Sequence, residues 1–151
     1  MRMYTMRFRY AFQKIVDLKT NEKIQAEWLL SEAIGKVKAQ ETSLAELVTE
    51  KDHLHERLHT VSSNKTTISQ IMIIQQMVDQ IDHQIVMKNK DLQKAQAVMA
   101  SKKETLAGKA LEEEIWTKAK NRAQQKFVIN MLKKEQEQLD EMATNRFQRL
   151  S

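Results

Sequence analysis

His55-Glu56-Arg57-Leu58-His59 is the stretch of this chain whose residue types and spacing could do chemistry. On a helix, the two histidines of an H-E-x-x-H pattern share one face and can ligate zinc, with the glutamate as general base. Leu58, however, belongs to an apolar seam, which puts His55 and His59 on the flank and outer surface of their helix. That position offers neither a substrate cleft nor a third ligand. His53 and His83 read as solvated. Two isolated glycines, Gly35 and Gly108, cannot build a phosphate loop. Glu112-Glu113-Glu114 reads as a charged face without a pocket for acid–base work. The sequence predicts no enzyme: no catalytic residue, no metal site and no cofactor.

The seam that displaces the histidines is the main organising feature. One run is Ala26, Leu30, Ala33, Val37, Gln40, Leu44, Leu47, Lys51, Leu54, Leu58 and Val61. A second is Ile71, Ile74, Val78, Ile81, Ile85, Lys88, Leu92, Ala95, Met99, Lys102 and Leu106. Spacing that alternates between three and four residues is the signature of a left-handed coiled coil. Folding the chain back near Thr66 pairs the runs at a constant residue sum of 132, with Leu58 opposite Ile74, Leu54 opposite Val78 and Leu47 opposite Ile85. The fold class expected is all-α: a long two-helix antiparallel coiled-coil hairpin with an overhanging C-terminal helix.

Composition supports extended helices. The chain of 151 residues has no proline and two glycines, so few positions favour a turn. A four-helix globule would need loops that these residues do not mark. One coiled-coil domain over 1–151 is expected, with helix one over about 4–61, the turn over about 62–67 and helix two over about 68–147. Thr66 or Thr67 can cap helix two through its hydroxyl, and Gly108 is a place where that helix can fray. About sixty residues of paired helix would extend ~90 Å, and α-helix beyond about Asn130 would project ~30 Å without a partner. Lys51, Lys88, Lys102 and Gln40 fall within the seam opposite Ile81, Leu44, Leu30 and Leu92, where polar residues penalise wrong registers and lysine stems can snorkel. Lys19, Glu22 and Lys23 interrupt the seam. Trp116 is expected to fill the core opposite Val16. Trp28 points outward, as a partner anchor or as part of a local contact.

The absence of cysteine suits a reducing cytoplasm. The start, with Arg2, Arg7 and Arg9 but no apolar block, is no signal peptide, and Ile71-Met72-Ile73-Ile74 is too short to cross a membrane. A soluble chain is expected. Residues 1–23 hold six Lys/Arg against two Asp/Glu, and residues 118–151 hold eight against four, while residues 24–117 hold eleven against fourteen. A hairpin would bring the two basic ends together, where they can engage an acidic protein channel, nucleic acid or lipid.

Two terminal segments resemble the FliJ family of flagellar export proteins. Phe8-Arg9-Tyr10-Ala11-Phe12-Gln13-Lys14-Ile15-Val16-Asp17-Leu18-Lys19 is similar to the family's opening segment. Lys134 to Ala143, followed by Arg146-Phe147, resembles its closing segment. Ile74-Gln75-Gln76-Met77 is similar to the family's aromatic-Gln-Gln-Phe element, with isoleucine and methionine in place of the aromatics. The resemblance implies a cytoplasmic, non-enzymatic stalk and coupling component of flagellar type III export, peripheral to the membrane. Its partners would be a hexameric export ATPase, the cytoplasmic domain of the export gate and some export chaperones, with no nucleic acid expected. The ATPase-ring residues would be Arg2, Arg7, Phe8, Arg9, Phe12, Leu139, Arg146, Phe147 and Arg149. The gate residues, near the turn, would be Leu47, Leu54, Gln76, Met77, Ile81 and Gln84. The alternative from another class is a homodimeric coiled-coil adaptor with basic ends, since antiparallel dimers can use the same seams.

Overall fold

The structure, a computed structural model, describes residues 7–63 and 67–150, so Arg2 and the expected cap Thr66 lie outside the described residues. It contains two helices, α1 over Gln13–Ser63 and α2 over Ile68–Leu150, and no strand among the described residues. At the start of α2, the Thr67 carbonyl accepts the amides of Gln70 at 3.1 Å and Ile71 at 3.5 Å, which makes Thr67 its N-terminal boundary.

Residues 25–106 form one compact unit. Every residue of the two expected seams is buried or half-buried here, whereas most positions between them are exposed. Leu54, Ile74, Val78 and Ile81 are its buried cluster, with Leu47, Leu58, Val61 and Ile85 packed against them. Lys51 reaches Asp82 at 2.6 Å and Lys88 reaches Gln40 at 3.4 Å, so a higher number on α1 meets a lower one on α2 and the helices run antiparallel. Both lysines lie at seam positions and lead their ammonium groups to polar partners at the edge. The side chains solve the problem of a charged seam position by pairing across it.

The other unit contains residues 1–24 and 107–151. The sequence places a helix start near Tyr4 or Thr5, but α1 begins at Gln13 and residues 7–12 are not helical. Aromatic spacing explains this. Phe8, Tyr10 and Phe12 recur every second residue, a period that brings side chains to one side of non-helical chain but not of a helix. Their rings follow one another at 6.4 and 5.6 Å, and the ends of the row meet α2: Phe8 against Phe127 at 5.6 Å, and Phe12 against Trp116 at 6.0 Å. The Phe12 carbonyl then accepts the amides of Ile15 and Val16 and opens the helix. Val16 is buried and Trp116 half-buried, as the seam requires.

α2 passes Gly108 without a break, contrary to the expected fraying, because nothing but the missing methyl distinguishes that position. A Cβ at Gly35 or Gly108 would meet no atom within 4 Å. Each glycine therefore costs helix stability without offering space to a neighbour. Replacing either with alanine should raise the unfolding free energy by roughly 0.5–1 kcal/mol, read from denaturant midpoints. A lower midpoint would show that the position needs its glycine.

Candidate partner-binding surfaces

The interruption of the seam at Lys19, Glu22 and Lys23 proves to be an ionic contact. Lys19 donates to Glu112 at 3.1 Å and lies 3.7 Å from Glu22; Lys109 donates to Glu22 at 3.1 Å and lies 3.9 Å from Glu112. Lys23 donates to Glu113 at 3.2 Å. Glu112 and Glu113, expected on a solvated face, thus face α1, while Glu114 pairs along its own helix with Lys118 at 2.9 Å. Hydrogen bonding to Glu112 raises the Lys19 pKa, and hydrogen bonding from Lys109 lowers that of Glu22, in each case against a smaller desolvation effect.

The signs give a pH window. A lowered Glu22 stabilises the fold above the ordinary value of 4.5, and the contribution is lost as pH falls through the folded value. A raised Lys19 stabilises below the ordinary value of 10.5, and the contribution is lost as pH rises through the folded value. Melting followed through Trp116 fluorescence, in a Trp28→Phe background, should be flat at neutral pH and fall at both extremes. The acid branch should be reduced in Glu22→Gln; an acid branch unchanged in that variant would contradict the assignment.

The residues expected to meet an ATPase ring separate into two groups. Arg7 and Arg9 are exposed on either side of Phe8, which is half-buried against Phe127. Phe12 keeps about half its surface but leans on Trp116. Leu139, Arg146, Phe147 and Arg149 are all exposed, and Arg146 and Arg149 lie roughly 30 Å further along α2 than Phe127 at 1.5 Å per residue. The arginines of the two segments share a unit but not a level. From Leu132 to Leu150 every residue of α2 is exposed.

This uncovered stretch carries an apolar stripe that sequence reasoning found only in part. Leu132, Leu139, Ala143, Phe147 and Leu150 recur at helical spacing on one face, with Phe147 75% and Leu150 88% exposed. The positions that would continue the seam beyond Met131, at Lys134, Gln138, Glu141, Asn145 and Gln148, are polar. The apolar face therefore turns away from the side that α1 covers. Period-3.6 spacing in the last twenty residues was the available signal.

The gate residues also divide. Leu54 and Ile81 are buried in the core of residues 25–106 and Leu47 packs on it. Gln76, Met77 and Gln84 are exposed, Met77 by 41%. Exposed Ile73, one turn before Met77 on α2, extends the apolar surface beside it. A groove of about 380 Å³ opens beside Leu47 and Gln84. Elsewhere in this unit Trp28 is 76% exposed, outward as expected. His55 and His59 are exposed on α1, and no group of three metal-ligating side chains comes together among the described residues. Among those residues no helix is long and apolar enough to cross a membrane.

Two antiparallel helices that share a heptad seam over residues 25–106 define an all-α coiled-coil hairpin protein. The model of the flagellar FliJ protein family matches residues 8–150, and the chain belongs to that family. Membership associates it with type III protein export. The solved structure of a protein from Chlamydia trachomatis, described as a YscO homologue, is similar at a TM-score of 0.71 and 15% identity, over 94% of this chain and 96% of that one. That likeness supports the fold. A comparison with curated proteins finds no match.

Proposed function

We propose that the chain is a non-enzymatic stalk and coupling component of flagellar type III export, binding the ring of the export ATPase at one end and the export gate near its turn. It would act in the cytoplasm, peripheral to the membrane apparatus, and export chaperones are further partners. The observation that carries the proposal is the stretch from Leu132 to Leu150, which is exposed throughout and presents an apolar stripe together with Arg146 and Arg149. A helix left bare in this way gains little by folding on its own chain, and its apolar area is available to a ring pore. Phe8 and Phe12 contribute by holding the N-terminal segment on α2 rather than by free contact, which leaves Arg7 and Arg9 as that segment's exposed charges.

The gate site is proposed around Met77, Gln76 and Gln84, with Leu47, Leu54 and Ile81 supporting it from within. Met77→Asp should weaken binding to the cytoplasmic domain of the gate while sparing ATPase stimulation and melting temperature, since the side chain is exposed. Calorimetric titration of the gate domain tests this. Unchanged affinity would remove Met77 from the site, and a large loss of stability would assign it to packing.

A further inference from the structure

The groove beside Leu47 and Gln84 has a chemistry of its own. Its apolar floor is Leu47 from α1 and Met87 from α2, and its rim carries Glu46, Glu50 and Asp91. Ser43 contributes only a small side chain at this edge, which leaves the space open. Glu46 and Glu50 stand one helical turn apart, and Asp91 answers from the other helix. Among the described residues no lysine, arginine or histidine forms an ion pair with any of these three carboxylates. Two basic side chains, His83 and Lys88, also line the groove, and Lys88 turns its ammonium to the Gln40 side-chain oxygen at 3.4 Å. The helices have thus brought three negative charges around an apolar slot and matched them with little of their own. The surrounding stretch follows the same sign, since residues 24–117 carry more acids than bases on a chain whose net charge is +5.

We infer that this groove binds a basic amphipathic segment of a partner protein, with an aliphatic side chain seated between Leu47 and Met87 and flanking lysines or arginines paired with Glu46, Glu50 and Asp91. Such a segment supplies what the site lacks. An apolar anchor fits the floor, and cations at the rim gain attraction in a partly dehydrated cleft without leaving a carboxylate buried and unpaired. Met77, Gln84 and Asp91 follow one another at heptad spacing, so one partner running along α2 would cross the Met77 surface and then the groove. The inference rests on the gate reading of that surface and narrows it: the part of the gate that lies here is positively charged.

The test uses the full chain and a short fluorescein-labelled model peptide with lysines and arginines flanking leucines at helical spacing. Two control peptides replace every cation with glutamine or with glutamate. Fluorescence anisotropy should show the basic peptide bound at least about tenfold tighter than the glutamine version, with affinity falling as salt rises and no binding of the glutamate version. Glu50→Lys, and separately Glu46→Lys combined with Asp91→Asn, should each remove about tenfold or more of that affinity, and Met87→Ser should weaken it without changing the salt dependence. Glu46 and Glu50 are exposed, so their reversal should leave helicity intact, and circular dichroism checks it. Equal binding of the basic and glutamine peptides, or charge reversals without effect, would overturn the inference. If Met77→Asp abolishes gate binding while both charge-reversed variants retain it in full, the groove assignment fails and the gate reading stands. If the gate domain binds none of these proteins, including the unaltered chain, the gate reading fails with it.

Discussion

Leu54→Ala is expected to lower the unfolding free energy by about 2–5 kcal/mol, and Val78→Asp to prevent residues 25–106 from folding. Leu54 belongs to the four-residue buried cluster of this unit, and Val78, at 2% exposure, is the most enclosed side chain among the described residues. A two-helix seam has few neighbours to relax into the space left by a missing leucine, so the cavity contribution is felt nearly in full. An aspartate at position 78 would place a charge inside the apolar cluster of Leu54, Ile74 and Ile81, with Leu47 and Leu58 packed against it. Thermal melting by circular dichroism measures both. The comparison with Met77→Asp is the sharper part of the prediction: adjacent residues on α2, the same substitution, unfolding at one and a near-native melt at the other. Equal effects at 77 and 78 would mean that the heptad register is wrong.

That register was legible in the sequence because the seam obeys one period over eleven positions on each helix, and a period is set by backbone geometry. Even its polar members stood at the right depth: Lys51 and Lys88 are half-buried where the repeat puts them. Their partners were not legible. Asp82 and Gln40 are ordinary surface residues until the helices are paired, and the reach of a lysine stem is decided by rotamer and neighbour. The same holds at Lys19, Glu22, Lys109 and Glu112. Read along one helix, these charges look like a failure of the seam; across two helices they complete it. α1 starts at Gln13 because Phe8, Tyr10 and Phe12 repeat every second residue, a period that suits non-helical chain rather than a helix. At the candidate sites, the exposure of Met77 and of Leu139, Arg146, Phe147 and Arg149 was legible from the register. Burial of Leu54 and Ile81, and the separation of Arg7 and Arg9 from Arg146 and Arg149, needed the packed chain.

The second large effect is functional. Reversing Arg146 and Arg149 to glutamate together with Leu139→Asp should abolish binding to the export ATPase and leave melting within about 0.5 kcal/mol of the unaltered chain, because all three side chains are exposed and no α1 residue covers them. On the proposed ring contact, the charge reversal would remove attraction to an acidic pore, and the aspartate would interrupt the apolar stripe. The arginine substitutions should lower the association rate and its salt dependence, while Leu139→Asp should speed dissociation. Reversing Arg7 and Arg9 alone should have a smaller effect, since these lie roughly 30 Å from the bare end of α2. Sedimentation with the ATPase, at low and at physiological salt, separates the contributions. Full binding by the triple variant would move the contact to another part of the chain.

The most direct test of the coupling role is phosphate release by the cognate export ATPase as the full chain is titrated in. A stalk that enters a ring favours the assembled hexamer, so turnover should rise with added chain, saturate near the ring concentration and be accompanied by a shift of the ATPase to a larger sedimenting species. Unaltered turnover and an unaltered ATPase oligomer, at a chain concentration well above that of the ring, would contradict the proposal.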